Sequence, residues 1–426
     1  MTTATVIAPT LVRAPALALV VAGLVGVHLL DDNFVHPEPG TTAGDHLVSG
    51  LVPLAAVIMT AVVAVRARPG SRAIAAAIIA AAAVITGVEG WQSLQHGGAS
   101  RDDYTGIIAL AAGAILLVDT GVRLGRTRNR GRPRLRRYLR RGLIAVAGLL
   151  LALQVGYPMA NAYLGIHLTS PARSAPDLGL AYEEVEIAVE GGAILRAWYI
   201  PSRSSAVLIT YPERPEAQPH ARFLAARGYG VLMVDGRGRG GSTGDPNAYG
   251  WGEYRDIAAV VGYLQSRSDV DPDRIGAIGY SVGGEVLLET AARTSGLQAV
   301  VAEGAGFRSI REYRHLGAAR WFSYPLVSVA TLSTAVFANQ LPPPDLGALM
   351  SQTPPRPVLL IQAESGLGGE ELNARYAAAA GTTAERWQVP GSTHIDGLRA
   401  QPEEYERRVV DFFDRALLGP GDVRRR

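Results

Sequence analysis

Five apolar runs, at 14–30, 47–65, 73–88, 104–118 and 142–160, fill the first 160 residues and are parted only by short polar segments. A hydrocarbon core takes about 20 mostly apolar residues per helix, with roughly 17 sufficing, so this pattern predicts an all-α region of about five membrane spans. The third and fourth runs, short and alanine-rich, lie nearest the lower limit. Only Arg13 precedes the first run and further spans follow it, which is not the pattern of a cleaved signal peptide. The composition agrees: the chain is 48% hydrophobic and only 19% charged, with a mean hydropathy of +0.14. A purely water-soluble globule is disfavoured.

Every basic residue other than histidine is arginine, and the arginines are placed unevenly. The segment 31–46 has none, 66–72 holds Arg66, Arg68 and Arg72, 89–103 has only Arg101, and 123–141 carries ten. Basic loops stay on the cytoplasmic side, so the alternation predicts a cytoplasmic N-terminus and an outside location for everything after the fifth span. Because the basic block flanks a span, anionic lipid and the positive-inside rule account for it, and no nucleic-acid partner is expected. The outer loops hold His28, Asp31, Asp32, His36, Asp45, His46, Glu89, His96, Asp102 and Asp103. None of these pairs shows the helical ligand spacing of a known metal motif, and they read as solvated, interfacial loop residues. The absence of cysteine excludes thiolate nucleophiles, thiolate metal sites and disulfides.

The texture changes across a linker at 166–182. From 183 to 418, short apolar runs alternate with helical patterns, beginning with a hairpin of Val185–Val189 and Ile194–Ile200 about Gly191 and Gly192. Strands are expected at 206–210, 231–234, 275–278, 299–302, 358–361 and 386–389. Helices fall at 216–227, 253–266, from about 282, at 370–380 and at 402–417. Such alternation predicts an α/β fold with a mostly parallel sheet between helices. An insertion at about 307–352 interrupts it, and residues 419–426 form a tail. The stretch Trp321–Ala338 in the insertion is apolar and nearly long enough to span. A sixth crossing there would separate Ser281 from His394, so a helical cap is expected instead.

Gly279-Tyr280-Ser281-Val282-Gly283 stands directly between a predicted strand and a predicted helix. That is the setting of a nucleophile elbow, where flanking glycines relieve crowding and the serine oxygen stands exposed at a helix N-terminus. A bare serine needs a base, and His394, after the last strand, is the suitably placed downstream histidine; His315 lies in the insertion. Gly236-Arg237-Gly238-Arg239-Gly240-Gly241 satisfies a dinucleotide pattern, but no helix follows at once, so it reads as a loop and no cofactor is expected.

With these residues the chain resembles the α/β-hydrolase family, in particular its dienelactone-hydrolase-like and serine-aminopeptidase-like branches. The resemblance covers about 183–418 and rests on the elbow, on Asp271-Pro272-Asp273-Arg274-Ile275-Gly276, on Phe223 to Tyr229 with Val234 to Gly238, and on Gly391 to His394. The whole chain also looks like actinobacterial hydrolases that carry a multi-span N-terminal region. The resemblance implies a Ser281–His394 pair oriented by an acid from the loop after the 358–361 strand. That loop has no aspartate; Glu364 stands nearest the strand end and is favoured, with Glu370 and Glu371 as alternatives. Where the family often has His-Gly, this chain has Tyr211-Pro212, and proline has no N–H to donate. The oxyanion donors implied are therefore the N–H groups of Val282 and Glu213.

The expectation is a membrane-anchored serine hydrolase of the cell membrane with an extracellular catalytic domain. It would cleave carboxylic esters through an acyl-enzyme, without metal or cofactor, in contact with the lipid bilayer. Peptide amides are the rival substrate, and a non-catalytic binding module on the same fold is the alternative in kind.

Overall fold

A computed structural model describes residues 14–37, 42–44, 46–95, 101–126, 139, 143, 146–148, 150–168, 178–212, 217–352, 356–366 and 368–418. Arg13, Asp45, His96, Glu213, the C-terminal tail and most of the arginine block and linker lie outside them. Two compact units result, one built on the helices up to Leu151 and one from Ala152 onward.

The first unit holds α1 (Ala14–Leu30, continued by a wider turn over Asp31–Val35), α2 (Leu47–Arg66), α3 (Pro69–Gln95) and α4 (Arg101–Arg126). With Val146–His167, the described residues include five helices long and apolar enough to cross a membrane. Inside the unit, Val21, Val25, Ile79 and Leu116 are buried among alanines, while many larger apolar side chains face outward. Such inside-out distribution is what lipid permits, since hydrocarbon imposes no penalty on exposed leucine or valine. The acidic and histidine residues expected to be solvated are a correction: His28, Asp32, His46 and Asp103 are buried. His28 bonds to Thr105 Oγ1 through Nδ1 and to the Thr86 carbonyl through Nε2. The physical reason is that polar groups withdrawn from water pair with one another. Among the described residues no three acidic or histidine side chains gather as metal ligands.

The second unit opens with a wider turn at Ala152–Gly156 and α5 (Tyr157–His167). Residues 152–167, expected to close the membrane region or enter the linker, are thus packed within the unit that follows. Its sheet has eight strands: β1 (Glu183–Ala188), β2 (Ile194–Ile200), β3 (Val207–Tyr211), β4 (Gly230–Val234), β5 (Ile275–Tyr280), β6 (Ala299–Glu303), β7 (Val358–Ser365) and β8 (Ala384–Thr393). Their order is β1-β2-β4-β3-β5-β6-β7-β8. The β1/β2 hairpin and the β2/β4 pairing are antiparallel, and all other pairings are parallel. The strands β3 to β6 are buried at every position, as the continuous apolar runs require of a sheet covered on both faces.

The helices are α6 (Gln218–Ala226), α7 (Tyr254–Ser266), α8 (Val282–Arg293), α12 (Asn373–Ala380), α13 (Gly397–Ala400) and α14 (Pro402–Leu417), together with α9 (Ile310–Tyr313), α10 (Tyr324–Phe337) and α11 (Leu346–Gln352) of the insertion. One core joins α7, α8, α11 and α12 to the sheet, through residues such as Ile257, Leu287 and Tyr376. The opposite core joins α6 and α14, through Phe223, Tyr405, Phe412 and Phe413. The insertion is a cap rather than a sixth span: α10 has 14 residues, about 21 Å of helix against a hydrocarbon core of about 30 Å.

Candidate active site

The elbow is built by crowding. Ser281 has φ 53° and ψ −124°, a strained conformation for a residue with a side chain, and α8 begins at the next residue. A Cβ at Gly283 would lie 2.3 Å from the Tyr211 carbonyl oxygen, and one at Gly279 would lie 2.6 Å from the Gly283 backbone. Only glycine fits at either place, so β5 can turn straight into α8 beside β3. The Ser281 N–H donates to the Glu303 carbonyl at 2.8 Å, which anchors the turn to the end of β6. Val282, the first residue of α8, carries one of the N–H groups that have no partner within the helix.

His394 follows β8 and reaches back over the elbow. Its Nε2 lies 2.8 Å from Ser281 Oγ, and its Nδ1 lies 2.8 Å from Glu370 Oε1. With the carboxylate ionised, Nδ1–H donates to Glu370 and Nε2 accepts the serine hydroxyl. Gly304, at φ +71°, makes room for the ring, since a Cβ there would stand 2.9 Å from the imidazole.

The acid differs from the favoured reading, for a structural reason. The strand β7 continues to Ser365, four residues beyond the expected end, so Glu364 still lies within the strand, at an irregularity in its pairing with β8 between Ala363 and Ser365. Glu364 is exposed and accepts the Gly391 N–H at 2.6 Å, while its own N–H donates to Ser392 Oγ. The chain then turns back, and Glu370 enters the site from a short 3₁₀ turn, 4% exposed. Its second oxygen accepts the Ala363 N–H at 2.8 Å, which fixes the carboxylate plane. Glu371 points away, paired with Arg320 at 2.7 Å. His315 pairs with Asp345 in the cap.

Several supporting residues carried no sequence signal beyond being charged residues within or beside apolar segments. The Glu303 carboxylate, 3% exposed at the end of β6, accepts the Gly397 N–H and the Tyr405 hydroxyl, so it holds the chain just after His394. Burial raises its pKa, against the hydrogen bonds from Tyr405 and Gly397, which favour the ionised form. Behind the elbow, α8 turns Glu285 and Glu289 inward. Glu285 accepts the Gly306 N–H, and Glu289 accepts from the buried Arg308 guanidinium at 2.5 Å. On the β3 side, the Tyr211 hydroxyl donates to Glu253 at 2.5 Å. Burial pushes Glu253 from 4.5 up to about 7. The glycine-rich loop after β4 runs on to α7 without a helix over it, and Arg237 grips Asp256 there with two hydrogen bonds, at 2.7 Å each.

An eight-stranded, mostly parallel sheet with a serine elbow after its fifth strand and a histidine after its last defines an α/β hydrolase, and the chain is a hydrolase. Residues 172–393, just over half of its length, match the X-Pro dipeptidyl-peptidase (S15) family, and the chain belongs to that family. It is similar to the uncharacterized protein YfhR of Escherichia coli K12, 29% identical over 258 residues that cover 55% of this chain and 81% of YfhR. It is also similar to the α/β-hydrolase domain-containing protein WAV2 of Arabidopsis thaliana, 30% identical over 155 residues, covering 34% of this chain and 49% of WAV2. Among solved structures, the Pyrococcus furiosus esterase Pf2001 is 22% identical, with a TM-score of 0.48 over 59% of this chain and 98% of the esterase.

Proposed function

We propose that this protein is a membrane-anchored serine hydrolase that cleaves carboxylic esters through Ser281, His394 and Glu370. The observation that carries the reading is the pair of 2.8 Å contacts linking serine, imidazole and carboxylate in one line. In the proposed cycle, Ser281 Oγ attacks the ester carbonyl as His394 Nε2 takes its proton. The tetrahedral oxyanion is met by the Val282 N–H, on the positive end of the α8 dipole. Glu213, the second donor expected from the sequence, lies outside the described residues. The imidazolium, steadied by Glu370, then protonates the departing alkoxide. Water, deprotonated by the same histidine, releases the acid from Ser281.

Five apolar helices and the alternation of arginine between loops support a multi-pass cell-membrane protein with the hydrolase unit outside. An apolar cap on a chain of this kind favours hydrophobic acyl esters as substrates. The second reading, amide hydrolysis, is favoured by the family itself, which is described by a dipeptidyl-peptidase activity.

Two assays divide these readings. A membrane-impermeant fluorophosphonate is expected to label intact cells bearing the wild type and not Ser281→Ala; labelling only after lysis would reverse the orientation. Hydrolysis of p-nitrophenyl esters of graded chain length is expected to exceed that of aminoacyl-proline anilides; the opposite preference would reject the esterase reading. No labelling even in lysate would leave a non-catalytic module.

A further inference from the structure

Between β6 and the insertion the chain runs through Gly304, Ala305, Gly306 and Phe307 with no helix or strand to hold it. This short segment touches both partners of the imidazole–carboxylate pair. Gly304 lies against His394, as the room it leaves for the ring shows. Gly306 lies against Gly369, the residue before Glu370: a Cβ on Gly306 would stand 3.8 Å from the Gly369 carbonyl carbon, and a Cβ on Gly369 would meet the Phe307 ring at 2.8 Å. Two glycines make such a segment pliant, so its position is set by whatever its backbone is bonded to.

The Gly306 N–H donates to Glu285 Oε1 at 2.8 Å, and the Gly306 carbonyl accepts the Tyr376 hydroxyl at 2.7 Å. Both of its backbone groups are thus taken by side chains, one from α8 and one from α12. Glu285 stands about one helical turn after Ser281, so the turn of α8 that presents the nucleophile also holds the segment that meets its base. The carboxylate is kept there at a cost. It is 4% exposed, and among the described residues its Oε2 has no hydrogen bond. The Arg308 Nε that faces it stands 3.8 Å away, on a guanidinium shared with Glu289 and Glu312. Burial pushes Glu285 from 4.5 up to about 7, against the charge of Arg308. The residues that follow it, Val286, Leu287 and Leu288, are buried and apolar, and a leucine at 285 would avoid that cost.

We propose that Glu285 is a positioning residue of the triad: by holding Gly306 it fixes the segment 304–307, against which both His394 and the Glu370 turn rest, and so keeps serine, imidazole and carboxylate in line. It acts through the backbone and not on the reacting atoms. An apolar residue at 285 frees the Gly306 N–H, the segment shifts, and the two 2.8 Å contacts of His394 lengthen together. A glutamine keeps an oxygen for that N–H while Arg308 retains Glu289 and Glu312, so loss of the charge by itself leaves the segment in place. This inference rests on the serine-hydrolase reading above.

The test compares wild type, Glu285→Leu, Glu285→Gln and Ser281→Ala, each as the full chain in detergent, on p-nitrophenyl butyrate. Glu285→Leu is expected to lower kcat by roughly 10²-fold and to change KM less than about threefold, the effect of a misplacement of about 1 Å at the reacting groups. Glu285→Gln is expected to keep both constants within about threefold of wild type, because its amide oxygen still accepts the Gly306 N–H. In proton NMR, the far-downfield signal of His394 Nδ1–H is expected in wild type and Glu285→Gln and is expected to be lost in Glu285→Leu, a change that a less stable but folded protein does not show. Turnover of Glu285→Leu within about threefold of wild type would overturn the proposal, as would persistence of that signal. Equal losses in the two variants, or a rise in KM at constant kcat, would overturn it too. Should Glu285→Leu not fold, Tyr376→Phe decides, since it frees the other side of Gly306: a roughly tenfold lower kcat at constant KM is expected from the loss of one hydrogen bond, and an unchanged kcat rejects the proposal. A wild type no faster than Ser281→Ala would instead reject the hydrolase reading, and this inference with it.

Discussion

Ser281 and Glu370 stand at equal distance from the same imidazole, but the two loops that present them are made differently. The elbow is determined within five residues: glycines at 279 and 283 are the only side chains that fit against β3 and the start of α8, so the serine has one place to be. The acid loop has no such local constraint. It offers three glutamates, and the reach of β7 and the β7/β8 pairing decide which arrives. A site can thus have one half written in local sterics and the other half in strand length.

That contrast can be broken at four points. Ser281→Ala is expected to reduce kcat on a p-nitrophenyl ester by roughly 10⁶-fold while leaving the thermal unfolding midpoint unchanged, the magnitude seen when a triad nucleophile is removed. Measurable turnover at more than about a thousandth of the wild-type rate would mean the elbow is not the reacting centre. Glu370→Gln is expected to lower kcat by about 10³- to 10⁴-fold by leaving His394 in the wrong tautomer. Glu364→Gln, which keeps an acceptor for the Gly391 N–H, is expected to change kcat less than about threefold. If the two variants exchanged effects, the acid assignment would fall.

The third point is behind the elbow. Arg308→Met strands the buried carboxylates of Glu285 and Glu289 without their common cation, although Arg293 still reaches Glu289. A loss of about 3–5 kcal/mol in unfolding free energy is expected, measured by denaturant titration in detergent. A loss below about 1 kcal/mol would show that the pair is not desolvated as the buried geometry implies.

The smallest effect concerns pH. Glu253 is raised from 4.5 to about 7 by burial, so between those values the folded protein binds the proton more tightly than the unfolded chain does. Its contribution therefore diminishes stability as pH climbs from about 4.5 to about 7, by up to roughly 3 kcal/mol in total. Glu253→Gln, which still accepts the Tyr211 hydroxyl, is expected to flatten the fall of the unfolding midpoint over that window. An unchanged slope would show that Glu253 is ionised in the fold.

How much was legible follows the same division. The continuous apolar runs of β3 to β6, the helix starting at residue 282 and the amphipathic helix after residue 402 are local patterns, and the structure has them within a few residues. The expected strand ends at Ile361, yet pairing with β8 carries β7 on to Ser365. Polarity marks where a strand leaves the core, not where its hydrogen bonds stop. In α5 the apolar composition shows that the helix is long enough to belong to the fifth span, but not that Tyr163 packs on Phe337 of α10. His28 was read as a solvated residue because a single sequence has no record of what the neighbouring helices bring to it.

The sequence by itself determined the two-part organisation, the α/β alternation, and Ser281 with His394, because hydrophobic periodicity and glycine sterics act over a few residues. Only the tertiary structure decided that Glu370 rather than Glu364 meets the histidine, that Glu303 braces the histidine loop, and that Gln154 reaches the Phe322 carbonyl. Each of those depends on chain segments tens of residues apart, brought together by strand pairing and helix packing, for which no local pattern encodes the distance.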